Sequence, residues 1–200
     1  MKVFTIILCI VCGGLVSSAH DCVLSESFDR GWRFTLADSA GMAAPEYDDS
    51  RWRCLDVPHD WAIEGDFHVG NPSGAGGGAL PGGIGWYRKH FRSDASGRTF
   101  IAFDGVYMNS TVYVNGREVG FRPYGYSSFE YDITPYVTAG DNVVAVRVDN
   151  SDQPNSRWYS GCGIYRHVWL TVTERLRIAH WGVHVMTEAD GRMTVRTELD

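Results

Sequence analysis

Val112-Tyr113-Val114-Asn115-Gly116-Arg117-Glu118-Val119 sets two strand-like runs on either side of an Asn-Gly pair. Asn and Gly tolerate the positive φ angles of a type I′ turn, whose twist matches that of paired strands, so the stretch predicts a β-hairpin. The same pattern continues outward in both directions. Val143-Val144-Ala145-Val146-Arg147-Val148 puts Val144, Val146 and Val148 on one face at period two, and Val168-Trp169-Leu170-Thr171-Val172 repeats the device. Thr99-Phe100-Ile101-Ala102-Phe103 is an apolar run suited to a strand covered on both sides. No stretch sustains a 3.6-residue period. Short strands punctuated by Gly and Pro predict an all-β fold, a jelly-roll β-sandwich.

Composition narrows the function classes. The chain has 200 residues and a formal charge of −6, with Lys only at Lys2 and Lys89. Without a basic run it has no footprint for a phosphate backbone, so nucleic acid is not an expected partner. A hydrophobic fraction of 44% excludes a disordered chain. Met1-Lys2, an apolar run from Val3 to Val16 and Ser17-Ser18-Ala19 read as a signal peptide over residues 1–19, cleaved after Ala19. The run falls short of the roughly 20 residues that a bilayer core requires. The mature chain is therefore expected to be exported, periplasmic or extracellular, without membrane contact. Cys9 and Cys12 leave with the signal. Cys22, Cys54 and Cys162 remain, an odd count with no CxxC spacing.

Two boundaries stand out. From residue 70 to residue 83 the chain is Gly-rich, too poor in side chains for a regular element and long for a neutral loop. Near Thr173-Glu174-Arg175 the first domain ends. Leu176-Arg177-Ile178 and Trp181-Gly182-Val183-His184-Val185 predict a new strand, Ala189-Asp190-Gly191-Arg192 a turn, and Met193-Thr194-Val195-Arg196-Thr197 a second strand. Two strands alone are marginal in water. Residues 175–200 therefore read as the start of an incomplete second β-domain, open to proteolysis near Arg175 or Arg177.

Two segments could carry chemistry. Pro58-His59-Asp60-Trp61 places three polar or aromatic groups side by side. Neighbours in a strand point to opposite faces, so they converge on a polar ligand only if the segment is a corner; the competing reading is a Pro-initiated corner with Trp61 packed inside. The second is the polar stretch from Asn150 to Arg166, set directly between two apolar strands. Arg and Asn suit the hydroxyl edge of a sugar and Trp suits its C–H face. The competing reading is a loop folded on itself, with Trp158 as a plug and Arg157 in an ion pair. No pair of carboxylates is marked for glycoside hydrolysis. No GxSxG or HExxH occurs, and the seven His show no metal-ligand spacing.

Taken in order, five motifs resemble one family: Phe28-Asp29-Arg30-Gly31-Trp32-Arg33-Phe34 as its opening strand, Val57-Pro58-His59-Asp60-Trp61, Leu80-Pro81-Gly82-Gly83-Ile84-Gly85-Trp86-Tyr87-Arg88, Phe103-Asp104-Gly105-Val106 with the Asn115-Gly116 hairpin, and Ser156-Arg157-Trp158-Tyr159-Ser160-Gly161-Cys162-Gly163-Ile164-Tyr165-Arg166. They are similar to the N-terminal sugar-binding domain of family 2 glycoside hydrolases, the β-galactosidase, β-glucuronidase and β-mannosidase group, and most like the Bacteroidetes-type β-galactosidases.

The resemblance implies a galactose-binding-like jelly roll over residues 20–174, followed by the first strands of an immunoglobulin-like sandwich over 175–200. It implies a retaining glycosidase in carbohydrate metabolism, with a β-glycoside as ligand. Both catalytic Glu residues lie in a (β/α)₈ barrel beyond these residues, so the chain alone is expected to be inactive, with no catalytic, metal or cofactor residue to name. By position, Asn155, Ser156, Arg157 and Trp158 are the implied sugar-contacting residues. Some members carry an acidic residue in this stretch; here the place holds Ser156 beside Arg157. The alternative is a stand-alone, non-catalytic carbohydrate-binding module or scaffold domain.

Overall fold

The computed structural model describes residues 23–200. The segment read as a signal peptide, and Cys22, lie outside the described residues. Two antiparallel sheets face each other. The larger orders six strands as β3-β2-β4-β9-β6-β7: β3 (Arg53–Leu55), β2 (Trp32–Thr35), β4 (Gly83–Ser93), β9 (Gly140–Asn150), β6 (Ser110–Val114) and β7 (Arg117–Arg122). The smaller orders four as β1-β10-β5-β8: β1 (Val23–Ser27), β10 (Val168–Thr173), β5 (Arg98–Phe103) and β8 (Phe129–Asp132). The first and last strands of this sandwich are neighbours, with Val23 opposite Thr173.

The hairpin read from the sequence is present. Asn115 and Gly116 both take positive φ, 50° and 78°, between β6 and β7, as a type I′ turn requires. The core fills from both sheets: Trp32, Tyr87, Val112, Val114, Val144, Val146 and Val148 from the larger, Ile101, Phe103, Val168 and Leu170 from the smaller. Each such side chain, fully buried, contributes about 1.5–3 kcal/mol. The opening motif differs from its reading. Phe28–Phe34 is not one strand, because the chain turns at Gly31 (φ 72°) and crosses from the smaller sheet to the larger.

β9 also differs from simple alternation. Val143 and Ala145 are buried on the face opposite Val144 and Val146. The segment between β2 and β3 folds over that face, and Met42 packs there with Trp86 and Ala145. Arg88, with no exposed surface, holds the segment down: Nε donates to Asp49 Oδ2 (2.8 Å) and Nη1 to the Met42 and Ala44 carbonyls (2.6 and 2.9 Å). Asp49 also accepts from Arg33 (2.5 Å) and meets His90 Nε2 at 2.9 Å.

After β10, β11 (Ile178–Thr187) and β12 (Met193–Leu199) pair only with each other among the described residues. Val183, Val185, Val195 and Leu199 are exposed. The hairpin is nonetheless anchored at its base. Arg177 donates to Glu130 (2.6 Å) and Asp200 (3.2 Å), and its guanidinium lies 3.3 Å from the Phe100 ring centroid. This narrows the expected cleavage pair: Arg175 is exposed, whereas the Arg177 side chain is shielded. Limited trypsin digestion is expected to cut at Arg175 and spare Arg177, and the hairpin amides should exchange faster than those of Val144–Val148. Cutting at Arg177 first, or equal exchange, would contradict this arrangement.

Candidate functional site

The Asn150–Arg166 segment is built against the 58–62 corner. Backbone bonds join the two: His59 N–H to the Ile164 carbonyl (2.8 Å) and Trp61 N–H to the Cys162 carbonyl (3.2 Å). Pro58-His59-Asp60-Trp61 is therefore a corner with Trp61 packed inside, and of its side chains Asp60 alone hydrogen-bonds to the polar loop. Asp60 Oδ1 accepts from the Cys162 and Ala62 N–H groups (2.9 and 3.0 Å), and Asp60 Oδ2 accepts from the Tyr159 hydroxyl. Burial and the Asp60 carboxylate both push the Tyr159 phenol well above its ordinary value, so it remains a donor. Trp61 is buried, stacked on Phe34 at 5.8 Å.

His59 braces the corner from beneath. Arg53, held bidentate by Glu64 (2.8 and 2.9 Å), donates to His59 Nε2 at 2.7 Å. An imidazole accepting at Nε2 is neutral and carries its proton on Nδ1, which donates to the Tyr87 hydroxyl at 2.7 Å. Burial lowers the His59 pKa and, with the positive charge of Arg53, outweighs the pull of Glu64 and Asp60.

At the end of β9, Asn150 organises the loop's first half. Its Nδ2 donates to Cys162 Sγ (2.9 Å), and its Oδ1 accepts from Gln153 and Asn155 (2.8 and 2.7 Å). Burial pushes the Cys162 thiol up to about 12, so it stays protonated near neutral pH. Cys162 and the exposed Cys54 form no disulfide among the described residues.

The four residues singled out from the sequence divide sharply. Asn155 gives Nδ2 to Asn150 and its Oδ1 accepts from Tyr107 (3.3 Å); Ser156 Oγ bonds the Trp158 carbonyl and Ser160 Oγ. Both shape the loop. Trp158 is 61% exposed, its Nε1 donating to Tyr126 Oη at 2.9 Å. Arg157 is exposed and makes no hydrogen bond or ion pair among the described residues. The plug reading is thus not what forms: Trp158 is not buried and Arg157 has no carboxylate. Sequence reasoning missed Asp60 and Tyr159 as loop clamps and Tyr126 as the partner of Trp158. The signal for the first pair was present, in a corner able to face a polar loop.

Under the loop is a cavity of about 20 Å³ lined by Leu80, Pro81, Asn150, Trp158, Tyr159 and Cys162. That holds about one water, far less than a sugar ring. The Gly-rich stretch closes it from below, and Gly76 lies against the Arg157 backbone, where an added Cβ would meet Arg157 Cα at 3.6 Å. The loop is therefore one wall with an outward polar edge, not a closed pocket.

Residues 25–174 match the family described as glycosyl hydrolases family 2, sugar binding domain. The chain belongs to that family. The β-galactosidase BoGH2A of Bacteroides ovatus is 59% identical over 168 residues, covering 82% of this chain and 20% of that protein. A β-glucuronidase of Bacteroides fragilis is 33% identical over 150 residues, 68% of this chain and 21% of the relative. The solved β-glycosidase of Bacteroides vulgatus superposes with TM-score 0.85 at 41% identity over 88% of this chain and 24% of its own. The chain spans about a fifth of the length of the curated relatives it matches. In this family 2 sugar-binding domain, the match ends one residue after β10, at the exposed Glu174.

Proposed function

We propose that this chain is the sugar-binding part of an exported, retaining β-galactoside hydrolase. Its 155–158 loop forms one wall of the sugar pocket, while the two carboxylates come from a barrel elsewhere in a longer protein. Residues 175–200 are, on this reading, the first strands of an immunoglobulin-like domain, which explains a hairpin with an apolar face open to solvent. The single observation carrying the proposal is Arg157: an exposed guanidinium without a partner among the described residues, on a loop where Asn155, Ser156 and Trp158 are all engaged. Five donors in a rigid fork suit vicinal hydroxyls. A guanidinium equally suits a carboxylate, so a β-glucuronide is the second reading, and some relatives carry that name.

The test is Arg157→Ala in the full-length enzyme. Charge-assisted hydrogen bonds contribute roughly 1.5–3 kcal/mol each, so kcat/KM on a β-galactoside should fall at least about tenfold. The melting temperature should stay within about 1 °C, because no fold contact is lost. Unchanged kcat/KM would remove Arg157 from the sugar site and favour a scaffold role. A larger loss on a β-glucuronide than on a β-galactoside would favour the second reading.

A further inference from the structure

The loop joining β7 to β8 carries Tyr124 and Tyr126, 59% and 40% exposed. Their rings meet edge to face at 5.7 Å, and Tyr126 meets Tyr107 in the same way at 5.3 Å. Edge-to-face packing fixes each ring while leaving a face open. The assembly is continuous with the pocket loop, since Tyr126 Oη accepts from Trp158 Nε1 and Tyr107 Oη donates to Asn155.

The ledge is preorganised. Tyr165 Oη donates to the Gly125 carbonyl (2.8 Å), Arg122 to Ser127 Oγ (2.6 Å), and Asn109 N–H to the Pro123 carbonyl (3.3 Å). Gly125 lies so close to Tyr107 that an added Cβ would come within 3.1 Å of its Cα. Little ordering remains to oppose ligand binding, and Tyr and Trp offer rigid contact area with a polar tip.

From this geometry we infer that Tyr124, Tyr126 and Trp158 form a second carbohydrate site, which takes a further pyranose unit of a β-linked oligosaccharide beyond the sugar held at Arg157. The occupant follows from chemistry. Open aromatic faces meet C–H faces, the phenol tips meet hydroxyls, and the surface runs directly out of the pocket loop. The inference rests on the sugar-pocket reading only for its direction; the ledge itself lies wholly within this chain.

The test is therefore a binding experiment on the 200-residue chain, with folding of every variant verified by circular dichroism. Cellotetraose and β-1,4-galactotetraose are titrated against glucose and galactose, following the Trp indole N–H signals by NMR. Saturable binding is expected for at least one tetrasaccharide, with neither monosaccharide matching it. Tyr124→Ala should weaken that binding at least about tenfold, a loss equivalent to about 1.4 kcal/mol, and Tyr124→Phe should retain most of it. In the full-length enzyme, Tyr124→Ala should reduce kcat/KM on the oligosaccharide while leaving an aryl monoglycoside within about twofold. Absence of tetrasaccharide binding, indifference to Tyr124→Ala, or equal binding of a monosaccharide overturns the inference. The binding arm needs no catalysis, so it fails or succeeds separately from Arg157→Ala.

Discussion

Asp49→Ala is expected to destabilise the sandwich by about 3–5 kcal/mol, because it strands a buried guanidinium. Arg88 has no exposed surface, and Asp49 is its only carboxylate partner among the described residues. The carbonyls of Met42 and Ala44 solvate Arg88 but do not neutralise it. For a chain of this size the loss corresponds to about 6–20 °C in melting temperature, read by circular dichroism. The same group sets an acid limit. Burial alone would raise the Asp49 carboxyl, but the hydrogen bonds from Arg88 and His90 and their charges outweigh it and hold it below its ordinary value of 3.8. A depressed folded pKa gives stability that is present above the unfolded value and lost as pH falls through the folded one. The wild type should therefore lose stability below about pH 4, and Asp49→Ala should show a flatter acid limb. A melting temperature within about 2 °C of wild type would show that Arg88 does not depend on Asp49.

Gly163→Ala should cost about 2–4 kcal/mol through overpacking and backbone strain together. Gly163 has φ 114°, outside the range of L side chains. An added Cβ would collide with the Tyr87 hydroxyl and lie 2.9 Å from the His59 carbonyl oxygen. The backbone cannot retreat, because Gly163 exchanges two hydrogen bonds with Tyr107 on its other side (2.8 and 2.9 Å). Relief must come from separating the 162–164 segment from the 59–61 corner, which breaks the backbone bonds that seat the Arg157 loop. Thermal unfolding and full-length kcat/KM should both fall. Unchanged stability would mean the corner and loop are not packed as described.

The motif around Gly163 shows how far sequence reading reaches. Its polar residues between two apolar strands mark a loop with a job, and the family resemblance names the job. Residue order cannot show that Asn155 and Ser156 are spent on hydrogen bonds while Arg157 makes none among the described residues. That division depends on contacts that residue order does not specify: Asn150 and Ser160 within the loop, and Tyr107, 48 residues before Asn155, whose side chain meets the loop only once the sheets form. The aromatic ledge is hidden for the same reason: Tyr126 and Trp158 are 32 residues apart and touch through one hydrogen bond.

The strands themselves were legible because their information is local. Asn115-Gly116 supplies the two positive φ angles of its turn, and the period-two valines of β9 commit one face to the core before any partner is known. What covers the other face of β9 is not local. The 36–50 segment has neither period nor strand propensity and is placed by distant side chains: the buried Arg88 reaches Asp49 across 39 residues of chain, and Trp86 and Arg147 hold Asp38. The sequence by itself therefore determined the strands around residues 99–103, 143–148 and 168–172, the clearest hairpin and the loop singled out for the site. Only the tertiary structure decided which groups on that loop are used up in holding its shape and which remain for a sugar, because hydrogen-bond satisfaction is a property of contacts and not of residue order.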